Sequence, residues 1–270
     1  MSAVRAKKLA ALIFQLCDKI AKYERNEKLM KILAIDTSNH PMSVALVEDD
    51  QLLATTTLNM VRNHSIFLLP VIDDLFQKVQ WQPQDLDRVV VAQGPGSYTG
   101  IRIAVTTAKV IADTLDIELT GVSSLKTVAA NLPSATDALI VPFFDARRGN
   151  VFAGVYQWQD DQLVSVLPDQ HLSMQALLDQ LAKLEKPVLM AGELTDRLQK
   201  QLKTVPEQLK FLPTAFSIPS TYQLALLGEK AAPVKNIDAF VPQYLRITEA
   251  EAVWHHQHPD APQQDYVREV

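Results

Sequence analysis

The stretch from Val89 to Leu115 constrains this chain most. An apolar strand pattern runs into Gly94-Pro95-Gly96-Ser97-Tyr98-Thr99-Gly100, and a long helical pattern begins at once. A strand, a glycine turn and a helix in that order form the unit from which layered α/β folds are built. The glycines allow close backbone approach, Pro95 stiffens the loop, and the first helical turn offers free N–H groups at the positive end of the helix dipole. Such a loop either cradles a phosphate or lets strand and helix pack tightly. Spacing excludes two familiar phosphate loops: Gly94, Gly96 and Gly100 give G-x-G-x-x-x-G instead of G-x-G-x-x-G, and Ile101 stands where a P-loop carries Lys.

The surroundings extend the α/β pattern. Ile32-Leu33-Ala34-Ile35 reads as a buried strand ending in Asp36-Thr37-Ser38, and Ser43–Val47 with Leu52–Leu58 flank the acidic turn Glu48-Asp49-Asp50 as a hairpin. A helix is expected over 65–79, a strand over 88–92, a helix over 99–115, a strand over 118–122, a helix up to Asn131 and a hairpin of 138–144 with 151–156. Beyond it, helices over 173–184, 193–202 and 222–230 and a strand over 188–191 form a smaller α/β lobe. The expected division is a lobe over 30–135, a lobe over 136–254 and a polar tail over 255–270. Residues 1–29 stand apart. Leu9, Leu12, Ile13, Leu16, Ile20 and Tyr23 recur at helical spacing among lysines, as an appended amphipathic helix, a docking or membrane-surface helix, or an extension ahead of a start at Met30.

Composition narrows the function. With 270 residues, 47% of them hydrophobic, the chain has enough material for one sizeable core or two modest ones. A net charge of -5 offers no broad basic surface, so direct RNA binding is disfavoured. The single cysteine, Cys17, excludes an internal disulfide and cysteine-based zinc sites, pointing to a reducing compartment. No apolar run approaches the roughly 20 residues of a membrane span, and a cytoplasmic protein without a membrane partner is expected.

Several residues carry candidate chemistry. Asp36, Thr37 and Ser38 can hold a metal-bound phosphate at a strand end, or simply form a turn. In the helix after the loop, Ile101, Ala104, Val105, Ala108, Ile111, Ala112 and Leu115 make a stripe that should face the core, while Ile103, Thr106, Thr107 and Val110 make a second side. The helix over 65–79 likewise has two apolar sides, one with Ile66, Leu69, Ile72, Phe76 and Val79 and one with Phe67, Leu68, Val71 and Leu75. A helix apolar on most sides is buried on most sides, so at least one of the two is expected to meet a partner. His64 reads as a capping or hydrogen-bonded structural residue. Arg147 and Arg148 occupy a hairpin turn, and His255, His256 and His258 sit in the Pro-rich tail.

Taken together, Ile32–Ser38, His64-Ser65 with Leu68-Leu69-Pro70, Gly94–Arg102, Ala108-Lys109 and Asp145-Ala146-Arg147-Arg148-Gly149 resemble the bacterial TsaB (YeaZ) family. The resemblance is close from Met30 to about Tyr156 and resumes at Pro242-Gln243-Tyr244-Leu245-Arg246, with Glu249-Ala250-Glu251 following. It implies the two-lobed actin-like ATPase fold, built of RNase H-like lobes with mixed sheets flanked by helices. It also implies paralogy to TsaD, the catalytic subunit that makes threonylcarbamoyl-adenosine at position 37 of tRNA, with TsaD and TsaE as partners and tRNA met only through the complex. Ser124 and Val128 fall where TsaD carries the histidines of its metal motif, and a hydroxyl and an isopropyl group cannot replace imidazole ligands. The second lobe also lacks a glycine pair for phosphates.

The expectation is therefore a non-catalytic scaffold that binds and activates TsaD and forms a homodimer when alone. Its interface is expected at Phe67, Leu68, Val71, Leu75, Arg102, Val105, Lys109 and Ala112. Asp36, Thr37, Ser38, Gly94, Gly96, Ser97, Thr99 and Gly100 would be at most a weak or vestigial nucleotide site, with no metal and no resident cofactor. The alternatives are an ATP-dependent phosphotransferase using Asp36 and the glycine loop, and a metallopeptidase of the older glycoprotease description.

Overall fold

The computed structural model describes residues 29–59, 63–200, 202 and 205–246. The amphipathic pattern up to residue 28, the tail with its three histidines, and Glu249-Ala250-Glu251 lie outside them.

Strand β1 (Lys31–Asp36) is central to the first sheet. It pairs antiparallel with β2 (Pro41–Glu48), which pairs antiparallel with β3 (Gln51–Asn59). On its other side β1 runs parallel to β4 (Arg88–Gly94), and β4 runs parallel to β5 (Glu118–Ser123). The order is β3-β2-β1-β4-β5. Helix α1 (His64–Val79) links β3 to β4, α2 (Tyr98–Leu115) links β4 to β5, and the short α3 (Ser124–Ala129) follows. One face of the sheet, including Leu33, Ile35, Val89 and Val91, packs on Leu68, Leu75, Ala104 and Val105 of these helices. Ile32, Ala34 and Val90 on the alternate positions are buried too. Burial on both faces explains why β1 and β4 read as unbroken apolar runs.

The second sheet repeats the plan. Strands β6 (Leu139–Asp145), β7 (Asn150–Gln159) and β8 (Gln162–Ser173) form an antiparallel meander, and β9 (Val188–Ala191) and β10 (Leu209–Phe211) add in parallel, giving β10-β9-β6-β7-β8. Numbered within each lobe, both sheets have the order 3-2-1-4-5 with the same pattern of parallel and antiparallel pairs, so the chain carries an internal structural duplication that no sequence repeat reveals. This is the two-lobed arrangement that the sequence resemblance implies. The connecting helices are α4 (Met174–Leu181), α5 (Asp196–Gln199) and α6 (Thr221–Glu229).

Packing crosses the expected boundary between lobes. Helix α6, which sequence order places in the second lobe, lies on the first sheet against β1, β2, β4 and β5. Arg88 of β4 holds its C-terminal end by donating to the carbonyls of Gly228 and Glu229 at 2.8 and 2.9 Å. Helix α3 in turn packs on β6 and β7 as well as β4 and β5, with Leu125 and Val128 beside Ile140 and Phe152. The two lobes therefore share their terminal helices.

Two expectations needed correction and one element was not foreseen. The stretch 162–173, for which no element was expected before Ser173, is a twelve-residue strand. It pairs only with β7, at the sheet edge, where Pro168 and polar side chains are tolerated and no apolar alternation is required. The helix expected over 193–202 shrinks to Asp196–Gln199, and that over 173–184 to Met174–Leu181. Among the described residues no helix is long and apolar enough to cross a membrane.

Candidate functional site

The glycine loop closes onto the turn after β1. Gly96 and Gly100 approach that turn so closely that an added Cβ would lie 2.1 Å from the Ser38 carbonyl oxygen and 2.1 Å from that of Thr37. Three hydrogen bonds hold the contact and its turn. The Ser97 N–H donates to the Ser38 carbonyl at 2.7 Å, the Thr37 hydroxyl donates to the Gly100 carbonyl at 2.7 Å, and the Ser38 N–H donates to Asp36 Oδ1 at 2.8 Å. Ser97 also caps α2, its Oγ accepting from the Gly100 N–H at 3.4 Å. Asp36, Thr37 and Ser38 are fully buried as a result. A phosphate reaching Asp36, Thr37 and Ser38 themselves would have to displace the loop. The close strand–helix packing is one of the two uses that the loop's sequence allowed.

That packing leaves a cost. Asp36 Oδ2 and Ser38 Oγ have no hydrogen-bond partner. Burial pushes the Asp36 carboxyl up to about 6, the Ser38 hydrogen bond opposing it.

Helices α1 and α2 run side by side on the first sheet, and the expected interface residues separate by depth. Leu68, Leu75, Val105 and Ala112 are buried in the sheet's own core, so they are unavailable to a partner. Val105 alone, fully buried, stabilises the lobe by roughly 1.5–3 kcal/mol. Lys109 is engaged as well, its Nζ donating to the carbonyls of Asp238 and Phe240 at 2.8 Å each. Val71 is half-buried, while Phe67 and Arg102 are exposed. The apolar side chains that do face outward are others: Ile66 is 63% exposed, Leu69 59% and Val110 59%. Of these, Leu69 lines a groove of about 540 Å³ between the helices, together with Ile103 and Thr106. Periodicity had found both apolar sides of α1 without telling which meets the sheet. Pro70 lies inside α1 and supplies no N–H to the Ile66 carbonyl, leaving a polar group on the outward side.

Between the lobes is a second cavity of about 630 Å³, with Ser97 and Thr99 from the first lobe and Arg147 and Arg246 among its other lining residues. The segment 242–246 forms one wall. The Gln243 N–H donates to the Gln93 carbonyl at 2.8 Å, Tyr244 stacks on Tyr98 at 5.0 Å, and Arg246 Nη1 donates to the Ala146 carbonyl at 3.0 Å. Arg147 and Arg148 both adopt left-handed backbone, φ 66 and 54, which costs a non-glycine residue energy. Asp145 Oδ1 steadies the turn by accepting from the Arg147 N–H at 2.7 Å. His64 has the expected structural contact, donating from Nε2 to the His40 carbonyl at 2.9 Å.

Two positions bear on catalysis. The Ser124 hydroxyl is buried and accepts the Gly94 N–H at 3.1 Å, and Val128 is fully buried in apolar surroundings. Where a TsaD histidine pair would fall, the donor set therefore does not fit a metal. A cluster that sequence reading missed lies nearby. Asp169 Oδ2 accepts from Ser123 Oγ at 2.5 Å and Oδ1 from the Tyr156 hydroxyl, tying β5 to β8 across the lobes. Burial raises the pKa of both Asp169 and Tyr156. No sequence signal marked it, since Asp169 sits in the unrecognised edge strand.

Two lobes of order 3-2-1-4-5 with exchanged helices and a cleft between them define a duplicated RNase H-like protein of the actin-like ATPase class. Within that class, the domain family described as TsaD, tRNA N6-adenosine threonylcarbamoyltransferase, matches residues 51–254. A Bacillus subtilis protein named tRNA threonylcarbamoyladenosine biosynthesis protein TsaB is 42% identical, across 83% of this chain and 98% of its own length. An Escherichia coli protein of the same name is 32% identical over 55% of this chain and 68% of its own. A crystal structure from Pseudomonas aeruginosa, described as similar to peptidase YeaZ, superposes with a TM-score of 0.67 at 25% identity, covering 80% of this chain and all of the other. The chain belongs to the TsaB family.

Proposed function

We propose that this chain is the non-catalytic scaffold subunit of the machinery that makes threonylcarbamoyl-adenosine at position 37 of tRNA, that it binds and activates TsaD, and that TsaE joins the assembly. The observation that carries this reading is the outward apolar face of α1 and α2, where Ile66, Leu69 and Val110 are exposed although the sheet beneath is already covered. Large side chains left in water on adjacent helices fit a second helical surface. In the absence of TsaD, the same face would close against a second copy. The buried Asp36–Ser38 turn and the Ser124 and Val128 positions support the absence of catalysis, against both the phosphotransferase and the metallopeptidase alternatives. The family's tRNA chemistry supports a cytoplasmic site of action.

Ile66→Glu and Leu69→Glu test the proposal. Both substitutions lie on the solvent side, so the variants are expected to fold, to lose co-purification with TsaD and to fail to support tRNA modification in a reconstituted assay. Undiminished binding by both variants refutes the interface. Modification that proceeds equally well without the chain refutes the function.

A further inference from the structure

The α1–α2 groove is lined by one cation, Arg102, held against the first of two stacked aromatic rings. Arg102 follows Tyr98 by one helical turn, donates from Nη1 to the Tyr98 hydroxyl at 2.6 Å and lies over the Tyr98 ring, 5.3 Å from its centroid. The Tyr98 ring in turn stacks on Tyr244 at 5.0 Å with 28° between planes. Tyr244 is fixed by its neighbour Gln243, whose N–H is bonded to the Gln93 carbonyl at the end of β4. An arginine on a solvent-facing helix ordinarily samples many rotamers, and the hydrogen bond and ring contact to Tyr98 favour one of them.

Among the described residues no carboxylate forms an ion pair with Arg102, and it is the single charged side chain lining the groove. The acidic residues of α1 are engaged locally, Asp73 by Gln77 at 2.7 Å and Asp74 by Lys78 at 2.6 Å. The groove is thus lined by apolar and hydroxyl side chains, with one positioned guanidinium among them.

We infer that the partner surface seated in this groove is an apolar helix carrying one carboxylate, which pairs with Arg102, and that Tyr98 and Tyr244 are positioning residues for that pair. The inference rests on the docking face proposed above and names the chemistry that face selects. A preformed guanidinium fork accepts a carboxylate with little further loss of side-chain freedom, and its requirement for an opposite charge sets which helix fits and in which register.

The test is TsaD affinity, measured by calorimetry at several salt concentrations for the wild type, Arg102→Gln, Arg102→Glu, Tyr244→Ala and Leu69→Glu, each first shown to be folded by its melting curve. Arg102→Gln is expected to bind about tenfold more weakly and with a flatter salt dependence, and Arg102→Glu about 100-fold more weakly. Tyr244→Ala is expected to lose a few-fold in affinity with the salt dependence of the wild type retained, because the charge remains and only its positioning is lost. Wild-type affinity and salt dependence in Arg102→Gln, together with lost binding in Leu69→Glu, would overturn the carboxylate pairing and leave the docking face standing. Wild-type binding by Leu69→Glu would overturn the docking face, and the pairing with it.

Discussion

The two lobes have the same strand order and opposite helix economies. In the first, α1 and α2 have 16 and 18 residues, and in the second α4 and α5 have 8 and 4. The large apolar side chains of α4, Met174, Leu177, Leu178 and Leu181, are all buried against the second sheet, as is Leu198 of α5. Those of α1 are divided, with Leu68, Ile72, Leu75 and Phe76 buried and Ile66, Phe67 and Leu69 exposed. A five-stranded sheet of this order is therefore closed by short helices with nothing apolar to spare. The surplus on α1 and α2 is the face that the proposed docking uses.

The comparison breaks most readily at the buried positions. Val105→Glu in the first lobe and Leu177→Glu in the second each force an unpaired carboxylate into a close-packed core, with an expected loss of more than about 4 kcal/mol in denaturant unfolding. A mild effect at Val105 alone would mean that the inner side of α2 is partner surface after all.

Next is Gly100→Ala, expected to cost about 3 kcal/mol or more, because its Cβ would meet the rigid Thr37 carbonyl at 2.1 Å. A neutral result would show that the loop stands open as a phosphate cradle requires. Asp36→Asn should act in the opposite direction. The buried carboxyl titrates near 6 against 3.8 when unfolded, so the native state holds this proton more tightly. The wild type is least penalised below about pH 4 and loses stability as pH rises through 6, by an amount approaching about 3 kcal/mol. The variant should be the more stable protein at pH 8, with the advantage fading as pH falls, and thermal unfolding across that range checks the sign.

The smallest stability effect is expected for Leu69→Glu and Val110→Glu, within about 0.5 kcal/mol of the wild type. A glutamate at Val166, an exposed position of β8, is the second-lobe counterpart. All three should melt alike, and only the two on α1 and α2 should lose TsaD.

Strand and helix identities were legible in the first lobe because its strands are central and its helices long, so the apolar patterns are strong. In the second half of the chain the strands inside the sheet and the helix over 222–230 were legible, the latter observed as Thr221–Glu229. Edge strand β8, half-exposed and interrupted by Pro168, and the three-residue β10 carry no periodic signal. The ordered motifs identified the family, although four of the eight interface positions expected on the two apolar helices, Leu68, Leu75, Val105 and Ala112, lie in the core.

The sequence by itself determined the α/β class, the strand–loop–helix unit at Gly94–Gly100 and the excess of apolar residues on two helices, since all of these are local patterns of residue type. Tertiary structure alone decided which side of α1 meets the sheet, that α6 lies on the first sheet, and that the glycines serve packing against Thr37 and Ser38. Each of those outcomes depends on contacts between residues dozens of positions or more apart in the chain, where periodicity carries no information and shape and close packing select among equally apolar alternatives.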